Sequence, residues 1–148
     1  MLSIAIGSDH AGFELKQTLR SELERQSIPY HDFGTNTSEA VDYPDIAINV
    51  GNAVANHESD LGILICGSGI GMSIIANKIS GVRAALCMSV DLASMSRRHN
   101  NANILVLAAR FVETDTAIDI VNEFLNTSFE SGGRHERRVN KIHKLTGR

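Results

Sequence analysis

The segment ICGSGIG (65–71) places a cysteine directly before three alternating glycines. An apolar run precedes Cys66 and a helix-like stretch follows the glycines, so the thiol is expected at a strand end beside a helix N-terminus. The helix dipole favours a thiolate there, and a thiolate can act as a nucleophile or a base. The backbone N–H groups of Gly67, Gly69 and Gly71 can converge on an anion or a developing oxyanion. Burial of a small apolar side chain is an equally good reason for a cysteine at this position.

Other reactive side chains follow apolar runs in the same way. Asp9 and His10 stand in the loop GSDHAG, where a polar pair favours a functional role over packing. Arg110 comes directly after the apolar run NILVLAA and can either reach an anion or remain solvated. Arg134 and Arg138 lie four residues apart, so they share one face of a helix and form either a small cationic clamp or a solvated surface.

His99, in the segment SRRHNN, falls between a predicted helix end and the start of a predicted strand. In a parallel sheet this is the edge opposite to Cys66, which ends a strand. A strand of about five residues spans roughly 17 Å, too far for one side chain to cross. His99 therefore either stabilises a helix C-terminus as a cation or serves a site shared with a second chain.

Composition excludes several functional classes. The 148 residues are 43% hydrophobic and carry a net charge of −3, which offers no broad basic surface for nucleic acid or anionic lipid. The glycines alternate after the third strand, whereas a dinucleotide fingerprint would follow the first, which disfavours NAD binding. Cys66 and Cys87 fit neither a disulfide framework nor a zinc site, and Cys87, with no glycine loop after it, is predicted to be structural. No membrane-spanning or export segment is recognised, so a cytoplasmic protein is expected.

Short apolar runs alternate with segments of helical periodicity, which predicts βαβ units in one α/β domain over residues 1–148. The predicted strands are 2–6, 28–33, 60–66, 82–87 and 103–109. The predicted helices are 12–26, 44–57, 70–80, 90–99 and 113–127, with a further helix after the glycine pair 132–133. Pro29 favours an edge or strand-start position for the second strand, and the third reads as a central buried strand. The carboxyl ends of the strands should hold the ligand crevice.

Five segments, GSDHAGFELK, VDYPD, ICGSGIGMSIIANKISGVRAA, SRRHNNANILVLAAR and GGRHERRV, together resemble the type B ribose-5-phosphate isomerases in order and spacing. The wider family includes galactose-6-phosphate and allose-6-phosphate isomerases. The resemblance implies a Rossmann-like three-layer sandwich with a five-stranded parallel sheet and a C-terminal helical extension. It also implies an enzyme without metal or cofactor, and a homodimer or tetramer whose active sites are shared between chains.

The resemblance further implies roles for individual residues. Cys66 would be the base that moves a proton between C1 and C2 of an open-chain aldose phosphate through an enediolate. His99 would be the ring-opening acid or base, with Asn100 beside it. The residues that would hold the enediolate oxygen are Gly67, Ser68, Gly69, Ile70 and Gly71. The substrate-lining residues would be Asp9, His10, Asp42 and Tyr43, and the phosphate-binding residues Arg110, Arg134 and Arg138.

One subgroup of the family has a serine in place of the cysteine and a glutamate base just after the third glycine. Here that position is Met72, which cannot accept a proton, so Cys66 has no obvious substitute. Two alternatives stay open at this point. The substrate could be a six-carbon sugar phosphate, or the chain could be a non-catalytic sensor of a sugar phosphate or nucleotide.

Overall fold

A computed structural model describes residues 1–148 as a five-stranded, entirely parallel sheet with helices on both faces. The strands, in chain order, are β1 (Ile4–Ser8), β2 (Tyr30–Asp32), β3 (Leu61–Cys66), β4 (Ala84–Leu86) and β5 (Ile104–Ala108). Their spatial order is β2-β1-β3-β5-β4, so β2 lies at an edge and β3 at the centre. The predicted α/β sandwich and the positions of these two strands are confirmed.

Six helices complete the fold: α1 (Phe13–Arg25), α2 (Tyr43–Ala55), α3 (Ile70–Ala76), α4 (Val90–Asn100), α5 (Thr114–Asn126) and α6 (Arg134–Thr146). Apolar residues of α1, α4 and α5 pack on one face of the sheet, and those of α2 and α3 pack on the other. The amphipathic α6 is the expected C-terminal extension and packs against α4. None of the six helices combines the length and the apolar character needed to cross a bilayer.

The strand order creates a crevice at one end of the sheet. After β1 the chain moves outward to β2, and it then returns to place β3 on the other side of β1. The loops that follow β1 and β3 therefore diverge at the carboxyl ends of two adjacent strands, where ligands bind in open α/β sheets. Ser8 pairs with Ile65 in this ladder, and Cys66 pairs with Ala108 of β5.

The predicted first strand (2–6) begins and ends two residues before β1 does. Gly7 and Ser8, read from the sequence as a loop, pair with Leu64 and Ile65 of β3. A side chain at residue 7 would meet Ile46 of α2 at 2.6 Å, so glycine there allows the close approach of helix and strand. The glycine and polar residues of GSDHAG predicted a loop, although its first two residues complete β1.

The predicted helix 70–80 is wrong at its C-terminus, because α3 ends at Ala76. The Asn77 side chain donates to the carbonyl of Ala84 at 2.9 Å and accepts the N–H of the same residue at 2.8 Å. These bonds tie the chain to the start of β4 in place of another helical turn. The predicted strand 82–87 is also shorter, since the N–H of Arg83 donates to the Asn103 side chain at 2.7 Å and leaves the ladder.

Candidate active site

A cavity of about 570 Å³ lies at the carboxyl ends of β1, β3 and β5. We call it the Cys66 crevice; it is lined by Asp9, His10, Ala11, Tyr43, Cys66, Gly67, Ser68, Ile70, Gly71, Ile74, Arg110 and Phe111. Nine of the predicted site residues are among them: Asp9, His10, Tyr43, Cys66, Gly67, Ser68, Ile70, Gly71 and Arg110. The structure therefore brings together the three loops that the sequence placed at one edge of the sheet.

Cys66 is the last residue of β3 and its side chain faces the α2 and α3 layer. It is 5% exposed, and the N–H of Gly69 donates to its sulfur at 3.1 Å. Gly69 has φ of 74°, which favours glycine, and a Cβ there would lie 2.4 Å from Leu86. This turn directs a backbone N–H at the sulfur of Cys66.

The glycine loop leads into α3 with its polar groups facing the crevice. The N–H of Ile70 donates to Ser68 Oγ at 3.3 Å, at the start of α3. A Cβ on Gly71 would lie 2.4 Å from Cζ of Tyr43, so the absence of a side chain lets the tyrosine ring close over the helix start. Asp42 precedes α2 but lies outside the lining, is exposed, and makes no capping hydrogen bond.

Asp9 and His10 occupy a short 3₁₀ turn (His10–Gly12) after β1. Asp9 is 7% exposed, and its Oδ1 accepts the N–H of Gly12 at 3.1 Å. His10 Nδ1 accepts the N–H of Val41 at 3.3 Å, so the neutral ring carries its proton on Nε2. These bonds fix both side chains at the mouth of the crevice before any ligand arrives.

A buried lysine supports this loop from behind. Lys16 of α1 is wholly buried, and its Nζ donates to Asp32 Oδ1 and to the carbonyl of Thr35, each at 2.6 Å. The N–H of Thr35 in turn donates to the carbonyl of Ser8 at 2.7 Å. The lysine of the GSDHAGFELK segment thus holds the turn that closes over the end of β1.

Arg110 extends β5 alongside the glycine loop. Its N–H donates to the carbonyl of Gly67 at 3.0 Å, and the N–H of Ala109 donates to the carbonyl of Cys66 at 2.9 Å. Its guanidinium Nη1 lies 3.0 Å from where a Cβ on Gly67 would stand, and Arg110 makes no ion pair within the chain. An unpaired guanidinium therefore lines the crevice close to the thiol.

Six predicted site residues are absent from the lining of the Cys66 crevice. Asp42 and Gly69 belong to segments beside it, whereas four lie elsewhere in the chain: His99, Asn100, Arg134 and Arg138. His99 and Asn100 form the last turn of α4, and both arginines lie on the first turns of α6, which packs against α4. The imidazole of His99 stacks on that of His135, with ring centroids 4.0 Å apart and planes 10° apart. We call the set of His99, Asn100, Glu130, Arg134, His135 and Arg138 the His99 cluster.

Charges within the His99 cluster shift the pKa of two groups. Arg98 Nε donates to Glu130 Oε1 at 2.8 Å, and this bonding, followed by the attraction of Arg98, holds the pKa of Glu130 below its usual value. Partial burial, and then the neighbouring His99, lower the pKa of His135. Arg134 and Arg138 are exposed and make no ion pair within the chain.

The prediction of two free cysteines is confirmed, and they differ in surroundings. Cys87 is 1% exposed beneath α4, and burial raises the pKa of its thiol. Cys66 has the glycine loop instead, with the donor from Gly69. This contrast fits the structural role predicted for Cys87.

Sequence reasoning missed three residues that line the crevice: Ala11, Ile74 and Phe111. Two of them carried a usable signal. Ile74 lies four residues after Ile70, one helical turn further along α3, and both side chains are 57% exposed. Phe111 follows Arg110 directly and is 70% exposed, which is unusual for a large apolar side chain beside a strand end.

Comparison with known proteins identifies the class to which this fold and crevice belong. The family model described as "Ribose/Galactose Isomerase" matches residues 4–142. The chain therefore belongs to the ribose/galactose isomerase family.

Similar proteins align with this chain over nearly their whole length. Ribose-5-phosphate isomerase B of Escherichia coli is 45% identical over 142 residues, covering 96% of this chain and 95% of the relative. A structure of ribose-5-phosphate isomerase B from Clostridium thermocellum superimposes with a TM-score of 0.96 at 48% identity, covering 99% of this chain and 98% of that one. The Mycoplasma genitalium isomerase with bound ribulose-5-phosphate gives a TM-score of 0.94 at 44% identity, over 99% of this chain and 97% of that one.

Proposed function

We propose that this protein interconverts ribose 5-phosphate and ribulose 5-phosphate, with Cys66 as the base. The observation that carries the proposal is the thiol at the end of β3, which receives the N–H of Gly69 at 3.1 Å inside a crevice beside an unpaired guanidinium. Removal of a proton next to a carbonyl needs a base, an oxyanion site and a substrate held in place. The crevice offers a group for each of these tasks.

In the proposed reaction, the Cys66 thiolate takes the proton from C2 of the open-chain aldose. The electron pair moves toward C1, and an enediolate forms. The thiol then returns a proton to C1, while O2 loses its hydroxyl proton and O1 gains one, which gives the ketose. Because the N–H of Gly69 already points at the sulfur, other backbone donors of the loop 67–71, with Ser68, would hold the enediolate oxygen.

Ring opening is assigned to His99 of a second copy of the chain, with Asn100 beside it. Cys66 is paired with Ala108 at the far end of β5, whereas His99 precedes the start of β5 at Ile104. The five residues of β5 span roughly 17 Å, so the two groups of one chain cannot reach one sugar. A two-fold dimer creates two equivalent shared sites, and this supports a homodimer as the active unit.

The phosphate is assigned to Arg110, Arg134 and Arg138, none of which makes an ion pair within the chain. Arg110 would come from the chain that supplies Cys66, and the other two from the chain that supplies His99. Guanidinium groups bind phosphate through charge-assisted hydrogen bonds, and a remote phosphate positions the reacting carbons. Asp9, His10, Asp42 and Tyr43 would contact the sugar hydroxyls.

The family description also names galactose, so a six-carbon sugar phosphate is the second candidate substrate. The test is to incubate the purified protein separately with ribose 5-phosphate, allose 6-phosphate and galactose 6-phosphate and to quantify each ketose. We expect the highest kcat/KM with ribose 5-phosphate. Preference for a hexose phosphate would replace the substrate assignment, and no turnover of any of the three would indicate the non-catalytic sensor.

A further inference from the structure

Three metal-ligating side chains of the His99 cluster converge from different parts of the chain. His99 ends α4, His135 begins α6, and Glu130 lies in the segment that joins α5 to α6. One ligand atom from each, a ring nitrogen or a carboxylate oxygen, lies within 4.8 Å of the other two. No other group of three histidine, cysteine or acidic residues in the chain shows this convergence.

The carboxylate of this trio is held in place by groups outside it. Arg98 Nε donates to Oε1 of Glu130 at 2.8 Å, and the N–H of Glu130 donates to the carbonyl of Arg98 at 3.0 Å. The second oxygen, Oε2, faces His135 Nε2 at 3.9 Å. One carboxylate oxygen is therefore fixed by the arginine, and the other points toward the imidazoles.

Two imidazoles and one carboxylate are a donor set that zinc accepts in proteins, with a fourth position left open. Zinc binds such atoms at about 2.0–2.1 Å, so in a tetrahedral site they lie about 3.4 Å apart. The present spacing, up to 4.8 Å between ligand atoms, needs a contraction of at most about 1.4 Å. Because the two ring planes are nearly parallel and stacked, at least one imidazole must also turn about its Cβ–Cγ bond for both rings to direct a nitrogen at the same ion.

We propose that His99, Glu130 and His135 form a binding site for Zn²⁺, and that the bound ion inhibits the enzyme by occupying His99. The inhibition rests on the proposed function, because it requires His99 to act on the sugar. Binding itself does not depend on that function. The isomerisation proposed above needs no metal, so the ion acts here as an inhibitor.

The charges around the trio indicate weak and reversible binding. Arg98 offsets the charge of Glu130, and Arg134 and Arg138 add positive charge on the same side of α6. A site with three ligands and cationic neighbours should bind less tightly than a closed structural zinc site with four. Zinc and sugar phosphate should also compete, since both engage His99, and the competition must be reciprocal.

Calorimetric titration of the full-length protein with Zn²⁺ alone, without substrate, tests the site. We expect one ion per chain, with affinity reduced at least about tenfold in both His135→Ala and Glu130→Gln. Circular dichroism of both variants verifies folding. His31→Ala is the matched control, because it removes an exposed imidazole that also stacks on a ring, that of Phe33, at 4.3 Å. Affinity unchanged in both cluster variants overturns the site.

The Cys66 thiol is the other group in the chain that could bind zinc, and a Cys66→Ala variant distinguishes binding there from binding at the cluster. Cys66→Ala should still bind one ion with wild-type affinity, and loss of binding in this variant with retention in His135→Ala would overturn the proposal. In activity assays, Zn²⁺ should inhibit the wild type, excess chelator should restore it, and His135→Ala should need at least about tenfold more Zn²⁺. Isomerase activity without any cluster-dependent zinc binding would leave the proposed function standing and remove this inference alone.

Discussion

The Cys66 crevice and the His99 cluster differ in how much of their order the single chain provides. In the crevice, backbone donors reach both the sulfur of Cys66 and the ring of His10, and the lining closes around a cavity. In the cluster, the cations of Arg134 and Arg138 are exposed and unpaired. The crevice side chains are held by groups of the same chain, whereas the two cluster arginines present their charge to the surroundings.

Under the proposed function, this difference means that one small domain divides a catalytic task between two regions. Groups that need a low dielectric and fixed dipoles, such as a base and an oxyanion site, lie where the sheet and its loops already enclose them. Groups that open a ring and bind a phosphate can approach from another surface, because their contribution is charge and hydrogen bonding at the rim. On this interpretation, loss of the Cys66 thiol or of the His99 imidazole should lower kcat, and loss of one of the arginines should raise KM.

Cys66→Ala should give the largest effect. Loss of the proposed base should lower kcat by about 10²–10⁴-fold, while the affinity for a substrate analogue changes little. Steady-state kinetics and analogue binding measure the two quantities. Cys87→Ala is the control for loss of a buried thiol and should keep wild-type kcat; an active Cys66→Ala protein would remove the thiol from the mechanism.

Arg138→Ala tests the phosphate contact made by the cluster. A charge-assisted hydrogen bond is worth about 1.5–3 kcal/mol, so KM for ribose 5-phosphate should rise at least about tenfold. Arg137→Ala is the matched control, because this exposed arginine is the neighbouring residue of α6. If alanine at 110, 134 and 138 in turn leaves KM unchanged, the phosphate lies elsewhere.

Mixing two inactive variants tests whether the crevice and the cluster of different chains meet. When Cys66→Ala and His99→Ala proteins exchange subunits, a mixed dimer has one site with both lesions and one with neither. Random pairing makes half of the dimers mixed, so activity should recover to about a quarter of wild type. Light scattering or native mass spectrometry establishes exchange, and exchange without recovery would place both residues in one chain's site.

Gly71→Ala should give the smallest of these effects. The new methyl group would displace the Tyr43 ring, 2.4 Å away, and lower kcat/KM by about threefold to tenfold. The free energy of unfolding should change little, because alanine is the better helix former and Gly71 lies in α3. The control in the cluster is Gly133→Ala, where a Cβ meets nothing within 4 Å; equal losses in both variants would contradict the tyrosine contact.

Local patterns predicted the secondary structure, and the errors fall where distant residues decide. The apolar runs predicted five parallel strands and the central place of β3, because burial on both faces leaves a continuous apolar signature. The end of α3 depends on Asn77 bonding to Ala84, and the end of β1 on pairing with β3. Ala84 belongs to a different element seven residues further along, and β3 is remote from β1 in sequence, so the periodicity of each segment alone specifies neither end.

In the candidate site too, local patterns predicted some features, and the packing of other elements decided the rest. Cys66 and Arg110 could be placed together because each follows a central strand, and the carboxyl ends of parallel strands share an edge. The stacking of His99 on His135 depends on how α4 packs against α6, and periodicity specifies neither that packing nor the position of Glu130. The sequence placed Lys16 only within the predicted helix 12–26, and its complete burial could not be foreseen because its partner Asp32 lies on β2.

The two hydrogen bonds that join the end of β5 to the glycine loop have a consequence for the size of the substrate. The N–H groups of Ala109 and Arg110 donate to the carbonyls of Cys66 and Gly67, so the backbone segments that carry the thiol and the guanidinium form one frame. Under the proposed assignment, the reacting carbons lie beside Cys66 and the phosphate beside Arg110, so this frame sets the distance between them. Each extra carbon lengthens a sugar by about one C–C bond, roughly 1.5 Å. Because the backbone frame has a fixed length, a longer sugar phosphate must bend between Cys66 and Arg110 or lose contact with one of them.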